Sequence, residues 1–442
     1  MKVNLPEEVV HVLHTLNNGG YEGYVVGGAV RDSLLGITAH DFDIATNALP
    51  HQVKKLFPNT VDTGIKHGTV TVIVGHRHVE VTTYRAEGEY RDYRRPNQVK
   101  FISSLKEDLS RRDFTVNAIA YSPATGYIDF FNGMKHLSER NIKTVGDANA
   151  RFREDSLRMM RAVRFACQLN FQLDDTVLSA IRDNAHLILN ISKERIRDEL
   201  DKILLLGAQK GILLLRDTGL LKLILPEVHA LQSPQNFTCP GYDIFMHTVN
   251  TTQYTDNQLA LKLAALFHDI GKPHCSTVDG SGMRHFDDHA QVSARMAGGI
   301  LKRLKYDNGT AKRVIAVIKF HDIECTDDSK RIKKLLRLMG REIFVDVIKL
   351  KRAGILSQDT KYRRRRLEKL EHMIEAYENI IKKDECFSLR QLAVDGNDLL
   401  TLGFKQGRRI GQVLNKLLDA VIEDNGLNKR DILMRMAREY LD

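Results

Sequence analysis

Two stretches early in the chain alternate polar and apolar positions with a period of two. Thr69 to Val74 (TVTVIV) and Val79 to Tyr84 (VEVTTY) are β-branched runs separated by Gly75-His76-Arg77-His78, which predicts a β-hairpin. Tyr24-Val25-Val26 is a shorter strand candidate that ends at Gly27-Gly28, and Phe114 to Tyr121 and Tyr127 to Phe131 continue the mixed character. From about Asp147 the period changes: apolar residues recur at helical spacing, β-rich runs become few, and short Gly or Pro breaks punctuate the pattern almost to the end. The pattern therefore predicts an α+β protein, with a small α/β head over 1–146 and a long helical remainder. Pro234, Pro240 and Gly241 mark a boundary near 232–243, and Lys361 to Arg366 (KYRRRR) is a basic run inside a helical stretch. No repeat of 20–50 residues and no low-complexity linker interrupts this organisation.

Composition narrows the picture. The chain has 442 residues, 43% of them hydrophobic, enough for several buried cores and too long for one ordinary domain. A net charge of +10 favours polyanionic partners, although 56 acidic residues against 66 basic ones make the excess moderate. The five cysteines (Cys167, Cys239, Cys275, Cys325, Cys386) are scattered and form no C-x-x-C pair, which argues against a disulfide framework or a zinc ribbon and for a reducing compartment. The N-terminus reads as an amphipathic helix rather than a signal peptide, and no apolar run approaches the roughly 20 residues that span a bilayer. A soluble, cytoplasmic protein without a membrane partner is expected.

Candidate chemistry begins with YVVGGAVRDSLLG followed by HDFDIAT. Asp41 and Asp43 lie two apart, and on a strand such residues share a face. Paired carboxylates repel each other unless a cation sits between them, and phosphoryl-type transfer uses such a place. Gly27 and Gly28 stand between a strand and a helix expected near Ala29, where backbone can approach phosphate closely and a helix N-terminus favours anions. Arg31, one turn in, is placed to grip a phosphate oxygen. Either motif alone is an ordinary turn or a solvated strand edge; about 13 residues apart after a strand, they point to a nucleotidyltransferase site.

Arg111, Arg112 and Asp113 open RRDFTVNAIAY, read either as surface arginines beside an N-cap or as a triphosphate contact with an orienting carboxylate. In REDSLRMMRAVRF the pattern is helical, and Asp155 and Arg158 are expected as i, i+3 neighbours on one face. The plain account of that pair is a surface ion pair of about 0.3–0.5 kcal/mol. The chemical account is base selection. An Asp accepts from an exocyclic amine and an Arg donates to a ring nitrogen, an order that suits cytosine and adenine but not uracil or guanine. Arg161 and Arg164 continue the basic face.

VVGGAVRD, HDFDIAT, GIKHGTVTV, RRDFTVNAIA, TVGDANARFREDSLRMMRAVRFA and LAVDGNDLL occur in the order seen in class II CCA-adding enzymes, tRNA nucleotidyltransferases related to bacterial poly(A) polymerases, and the chain closely resembles that family over 5–230 and again over 387–442. The resemblance implies a polymerase-β-like head (1–146), neck and nucleotide-selecting helices (147–232) and a helical body and tail (326–442) that hold the tRNA acceptor end. It implies Mg²⁺ at Asp41 and Asp43, with Glu80 as a third carboxylate. It implies triphosphate contacts at Gly28, Arg31 and Arg112, base selection by Asp155 and Arg158, and further nucleotide contacts at Arg161 and Arg164. CTP and ATP are the implied substrates. The segment YRAEGEYRDYRRP (84–96) resembles the flexible loop of enzymes that add the terminal A, which favours complete CCA addition over A-only or poly(A) addition.

ALKLAALFHDIGKP, with His247 upstream and His289 and His321-Asp322 downstream, resembles the HD phosphohydrolase superfamily. This implies an HD domain inserted over 243–325, with a second divalent metal at His247, His268 and Asp269. Asp322 or a neighbour is a further ligand, and His289 and His321 are needed only if two metals bind. Such a domain is either an active hydrolase or a structural remnant.

Overall fold

The computed structural model describes residues 3–87, 99–232, 243–280, 284–358 and 360–441. The chain divides into two compact units, Met1–His229 and Ala230–Asp442. The boundary expected near 232–243 falls mostly on residues outside those described, as does most of the 84–96 loop.

The first unit opens with helix α1 (Glu7–Asn18), strand β1 (Gly23–Val26) and helix α2 (Gly28–Leu34). Strand β2 (Asp43–Thr46) and helix α3 (Pro50–Leu56) precede the strands β3 (Thr60–Gly64), β4 (Thr69–Val74) and β5 (Arg77–Thr83). The predicted hairpin is present: β4 and β5 pair antiparallel from Thr69↔Thr82 to Val74↔Arg77. A short pair, β6 (Arg85–Glu87) with β7 (Val99–Phe101), leads to helix α4 (Leu105–Ser110), strands β8 (Ala120–Ser122) and β9 (Gly126–Ile128), helix α5 (Gly133–Ser138) and strand β10 (Asn141–Ile142). Seven strands form one sheet in the order β3-β4-β5-β2-β1-β8-β9. Within it β2 and β5 run parallel, placing Asp43 beside Glu80 in register.

Helices follow: α6 (Ala148–Glu154), α7 (Arg158–Gln168), then strand β11 (Gln172–Leu173), α8 (Asp175–Asn184), α9 (Lys193–Asp217), α10 (Leu220–Ile224) and α11 (Pro226–His229). Met160, Val163 and Cys167, at i, i+3 and i+7, are buried on one face of α7, and that helix packs on α9. The expected continuous helix through 153–165 is interrupted. Asp155 caps the end of α6 in an extended conformation (φ −136°, ψ 103°), and α7 starts only at Arg158.

Among its described residues the second unit is helical apart from one short antiparallel strand pair. Helices α12 (Ile244–Tyr254) and α13 (Leu259–Phe267) precede strands β12 (Ser276–Val278) and β13 (Arg284–Phe286). Helices α14 (His289–Arg303), α15 (Asn308–Phe320), α16 (Ser329–Leu356), α17 (Thr360–Lys382), α18 (Gly396–Thr401), α19 (Arg408–Glu423) and α20 (Arg430–Arg438) complete it. Ile332, Leu336, Phe344 and Ile348 of α16 and Leu370, Met373 and Ile380 of α17 share one core. A separate core forms around Leu417, Leu418, Val421 and Leu433 near the C-terminus. The basic run 361–366 lies on α17, as its pattern suggested. Among the described residues no helix is long and apolar enough to cross a membrane, and the four described cysteines are free.

Candidate active site and a histidine-rich cluster

Helix α4 is pinned to the sheet by Leu105 and Leu109, which pack with Val26, Ala45, Tyr84 and Ala120 in one core. Each such buried leucine contributes about 1.5–3 kcal/mol. Its last carbonyls have no intrahelical partner and are met by arginines. Arg151 Nη2 donates to Ser110 O at 2.7 Å and Arg158 Nη2 to Arg111 O at 3.2 Å. These bonds tie the Arg111-Arg112-Asp113 turn to the helices that follow the sheet.

The result is a cavity of about 710 Å³ in the first unit, within the usual range for ligand sites. Its wall includes Gly27, Gly28, Arg31, Asp43 and Glu80 from the sheet side, and Arg111, Arg112 and Asp113 from the turn after α4. The helices add Asp155, Arg158, Arg161, Phe165 and Arg195. Most of the residues singled out from the sequence thus meet in one place. Asp41 and Arg164 are not in the wall.

Gly27 has φ 74° and ψ −133°, and a Cβ there would stand 3.3 Å from Arg112 Nη1 and 3.9 Å from Asp43 Oδ2. Glycine is required on both counts: the conformation disfavours side chains, and the space belongs to functional groups. Asp43 opens β2. Desolvation, then the neighbouring Glu80, raise its carboxyl above the ordinary value; Arg112 opposes this, and Asp41 adds a smaller push. Asp41 falls just before the strand as bounded, and it and Asp43 are exposed on either side of the buried Phe42, the alternation expected of an extended segment. The in-register neighbour of Asp43 is Glu80, the residue the family resemblance offered as a third carboxylate.

Arg31 is about 4% exposed and held by Asn117 Oδ1 (2.7 Å) and Asp32 Oδ1 (2.8 Å). Arg161 makes a two-nitrogen contact with Asp113 Oδ2 (2.8 and 2.6 Å). Burial alone would raise the Asp113 carboxyl, but the Arg161 charge and hydrogen bonds outweigh it and leave it below the usual value. In this arrangement Asp113 holds the Arg161 guanidinium in place. Phe165 lies beneath three guanidinium groups, with Arg164 4.0 Å and Arg31 and Arg161 each 5.5 Å from the ring centroid. Arg164 is tied to Glu199 at 2.6 Å, which draws it behind the wall.

Asp155 and Arg158 do not form the expected ion pair with each other. Asp155 Oδ2 accepts from Arg195 Nη2 at 2.8 Å and Oδ1 from the Leu157 backbone N–H at 3.1 Å. Arg158 is paired with Glu154 and donates to Arg151 O at 3.2 Å. The break between α6 and α7 explains this, because the two side chains no longer sit on one helical face. Both still line the cavity. Sequence reasoning missed Arg195, Glu154, Asn117 and Phe165. They act through contacts tens of residues away or as partners of a singled-out neighbour, and no local spacing marks them.

In the second unit, a cavity of about 360 Å³ is lined by His247, His268, Asp269, Lys272, His289, His321 and Asp322, among others. Asp269 is about 1% exposed, and four imidazoles surround it. Their Nε2 atoms lie 3.2 Å (His268), 3.5 Å (His289), 3.7 Å (His321) and 3.8 Å (His247) from its carboxylate oxygens. Nδ1 of His268, His289 and His321 meets the carbonyl of Ala265, Phe286 and Ile318 at 2.8, 2.8 and 2.7 Å. Carbonyls only accept, so these three Nδ1 atoms carry the proton and Nε2 faces inward, and burial holds His289 and His321 below the ordinary value, which favours lone pairs on their Nε2 atoms. His247 Nδ1 is held by Ser357 Oγ at 2.6 Å, and burial drives its pKa down to about 3. The His289 and His321 Nε2 atoms stand 3.2 Å apart, while Asp269 Oδ1 is buried with no hydrogen-bond partner among the described residues. His289 and His321 therefore belong to the same cluster as His247 and His268, with Asp269 shared between two three-ligand groups. Asp322 lines the cavity but is in neither group.

Comparisons with known proteins agree with this layout. Family models match residues 23–143 (poly A polymerase head domain), 170–232 (probable RNA and SrmB-binding site of polymerase A) and 286–437 (putative tRNA nucleotidyltransferase domain 2). A CCA-adding enzyme of Lactobacillus johnsonii is 37% identical over 429 residues, 96% of this chain and 96% of the relative. The chain belongs to the CCA-adding enzyme family. A CCA-adding enzyme of Limosilactobacillus reuteri is 34% identical over 97% of this chain and 95% of its own. The crystal structure of the Bacillus stearothermophilus CCA-adding enzyme in complex with CTP is 30% identical, with a TM-score of 0.72 over 98% of this chain and 96% of that one. CCA-adding enzymes are tRNA nucleotidyltransferases, and nucleotidyltransferases of this family use divalent metal ions.

Proposed function

We propose that this chain adds C, C and A to the 3′ end of tRNA from CTP and ATP, without a nucleic-acid template, in the cytoplasm. The observation that carries this reading is one cavity in which Asp43 and Glu80 face the Gly27 turn, the arginines 31, 111 and 112, and the Asp155 and Arg158 side chains. The RNA 3′-oxygen bonds to the α-phosphorus of the nucleotide, and the bond to the β-phosphate bridging oxygen breaks to release pyrophosphate. Asp41 and Asp43, with Glu80 in register beside Asp43 as a third carboxylate, are hard oxygen donors that fit Mg²⁺. Bound there, the ion supplies charge neutralisation for the triphosphate and a more acidic 3′-hydroxyl. Arg31 and Arg112 hold phosphate oxygens beside Gly28. Asp155 retains acceptor capacity beyond its Arg195 and Leu157 bonds, since a carboxylate offers about four lone-pair sites, and it takes the exocyclic amine of C or A. Arg158 reads the adjacent ring nitrogen. Arg161 and Arg164 support that surface through Asp113, Glu199 and Phe165.

The test is to sequence the products made on tRNA lacking its CCA end, with CTP and ATP offered separately and together. Addition of CC from CTP alone and of CCA from both is expected. A-only or homopolymer products would replace this reading with the A-adding or poly(A) alternative.

A second reading concerns the HD-like cluster. Inward lone pairs, His289 and His321 at 3.2 Å, and an unpartnered Asp269 oxygen favour a divalent metal held by His247, His268 and Asp269 together with His289 and His321. We assign this cluster metal-dependent phosphoester hydrolysis as a separate activity. Loss of hydrolysis with intact nucleotide addition in a His268→Ala, Asp269→Ala variant tests it.

A further inference from the structure

Behind the arginines of the first cavity lies a carboxylate that the reaction as described does not use. Asp108 sits on α4 between Leu105 and Leu109 and is about 1% exposed. Its Oδ1 accepts from Arg111 Nε at 3.0 Å, from Arg111 Nη2 at 2.8 Å and from the Arg85 backbone N–H at 3.2 Å. Its Oδ2 lies 3.6 Å from Arg112 Nη2, too far for a good hydrogen bond, and has no hydrogen-bond partner among the described residues. Arg112 Nε, also buried, has none either among those residues.

Consecutive guanidinium groups at 111 and 112 repel each other, and burying them costs free energy unless a counter-charge is near. A wall meant to receive a triphosphate must be cationic before the ligand arrives. A counter-charge on the cavity side would compete with phosphate for the same donors. Asp108 avoids that conflict by acting from the protein side, where a short apolar-anchored helix fixes its position. Arg112 is then placed between Asp108 behind and the Gly27 turn and Asp43 in front. The loose Oδ2 contact leaves Arg112 able to tilt toward a ligand without losing its partner.

We propose that Asp108 is a positioning residue for nucleotide addition, holding Arg111 and Arg112 from behind the cavity wall so that they meet the β- and γ-phosphates of the incoming nucleotide. This rests on the nucleotidyltransferase reading above. It is tested in the full chain by binding, which separates it from turnover. Equilibrium dialysis with Mg²⁺ present compares labelled CTP and CMP on the native chain, Asp108→Asn and Asp108→Glu. The amide keeps shape and loses charge; the longer acid keeps charge and displaces it. Asp108→Asn is expected to weaken CTP about tenfold, roughly one charge-assisted contact, and CMP less than about twofold. Asp108→Glu is expected to weaken CTP about threefold with CMP unchanged. CTP affinity within about twofold of native in a folded Asp108→Asn chain would overturn the assignment, as would equal losses for CTP and CMP, which mark general damage. If Asp108→Asn does not fold, Asp108→Glu alone decides, and unchanged CTP affinity there overturns it. A native chain that binds CTP but incorporates none refutes the proposed function instead.

Discussion

The two charged cavities solve opposite electrostatic problems. In the first unit, cations dominate and are divided into local pairs: Arg161 with Asp113, Arg164 with Glu199, Arg158 with Glu154, Arg111 with Asp108. Each guanidinium is fixed by its own carboxylate and still borders, or backs, a space fit for a polyanion. In the second unit, a central carboxylate is surrounded by the Nε2 atoms of four imidazoles, two of which stand 3.2 Å apart. Lys272 Nζ, 2.7 Å from Asp269 Oδ2, is the near positive charge. Pairwise-neutralised arginines describe a receptor for phosphates, whereas converging lone pairs describe a receptor for a cation. The lesson is that the protons on the histidines, set by backbone carbonyls, say more about ligand type than the residue count does.

Three perturbations sharpen this contrast. The largest concerns the second cavity. Zn²⁺ at 100 times its dissociation constant should stabilise the chelator-treated chain by about 2.7 kcal/mol. The shift, read by thermal unfolding, should vanish in a His289→Ala, His321→Ala variant; an unchanged shift would place the metal elsewhere. Next, Arg161→Ala strands Asp113. The expected loss is about 2 kcal/mol, below the full range for a buried pair because the Arg161 side chain is 35% exposed. The Asp113 carboxyl is held below its ordinary value, so the pair's stabilisation is complete above the ordinary carboxylate pKa and lost as pH falls through the lowered one. Denaturant midpoints measured from neutral to acid pH should therefore converge for native and variant chains, and parallel curves would contradict the pairing. The smallest effect is on specificity. Asp155→Ala should reduce the preference for CTP and ATP over UTP about tenfold, read by competitive incorporation; retained preference would remove Asp155 from base recognition.

How much of this was legible beforehand follows the range of the interactions. The β4–β5 hairpin, the Gly27-Gly28 turn and the change to helical period depend on neighbours in sequence, and the structure contains all three. The placing of Glu80 beside Asp43 depends on the parallel β2–β5 contact, 37 residues apart, which no local pattern announces. The helix predicted through 153–165 breaks at Asp155 because tertiary partners compete with helical propensity there. Arg195 captures the Asp155 carboxylate, and Arg158 turns to Glu154 and to the open carbonyls of α4. The histidine cluster was legible as residue types with suggestive spacing. That His289 and His321 join His247 and His268 around one aspartate required the packing of four helices.

The central claim is that nucleotide addition belongs to the first cavity and is independent of the second. Labelled CTP incorporation into tRNA lacking its CCA end tests it when an Asp43→Ala chain and a His268→Ala, Asp269→Ala chain are assayed side by side. The account predicts a loss of about a thousandfold in the first and a rate within about twofold of native in the second. Near-native incorporation by Asp43→Ala, or its collapse in a folded histidine-cluster variant, would contradict it.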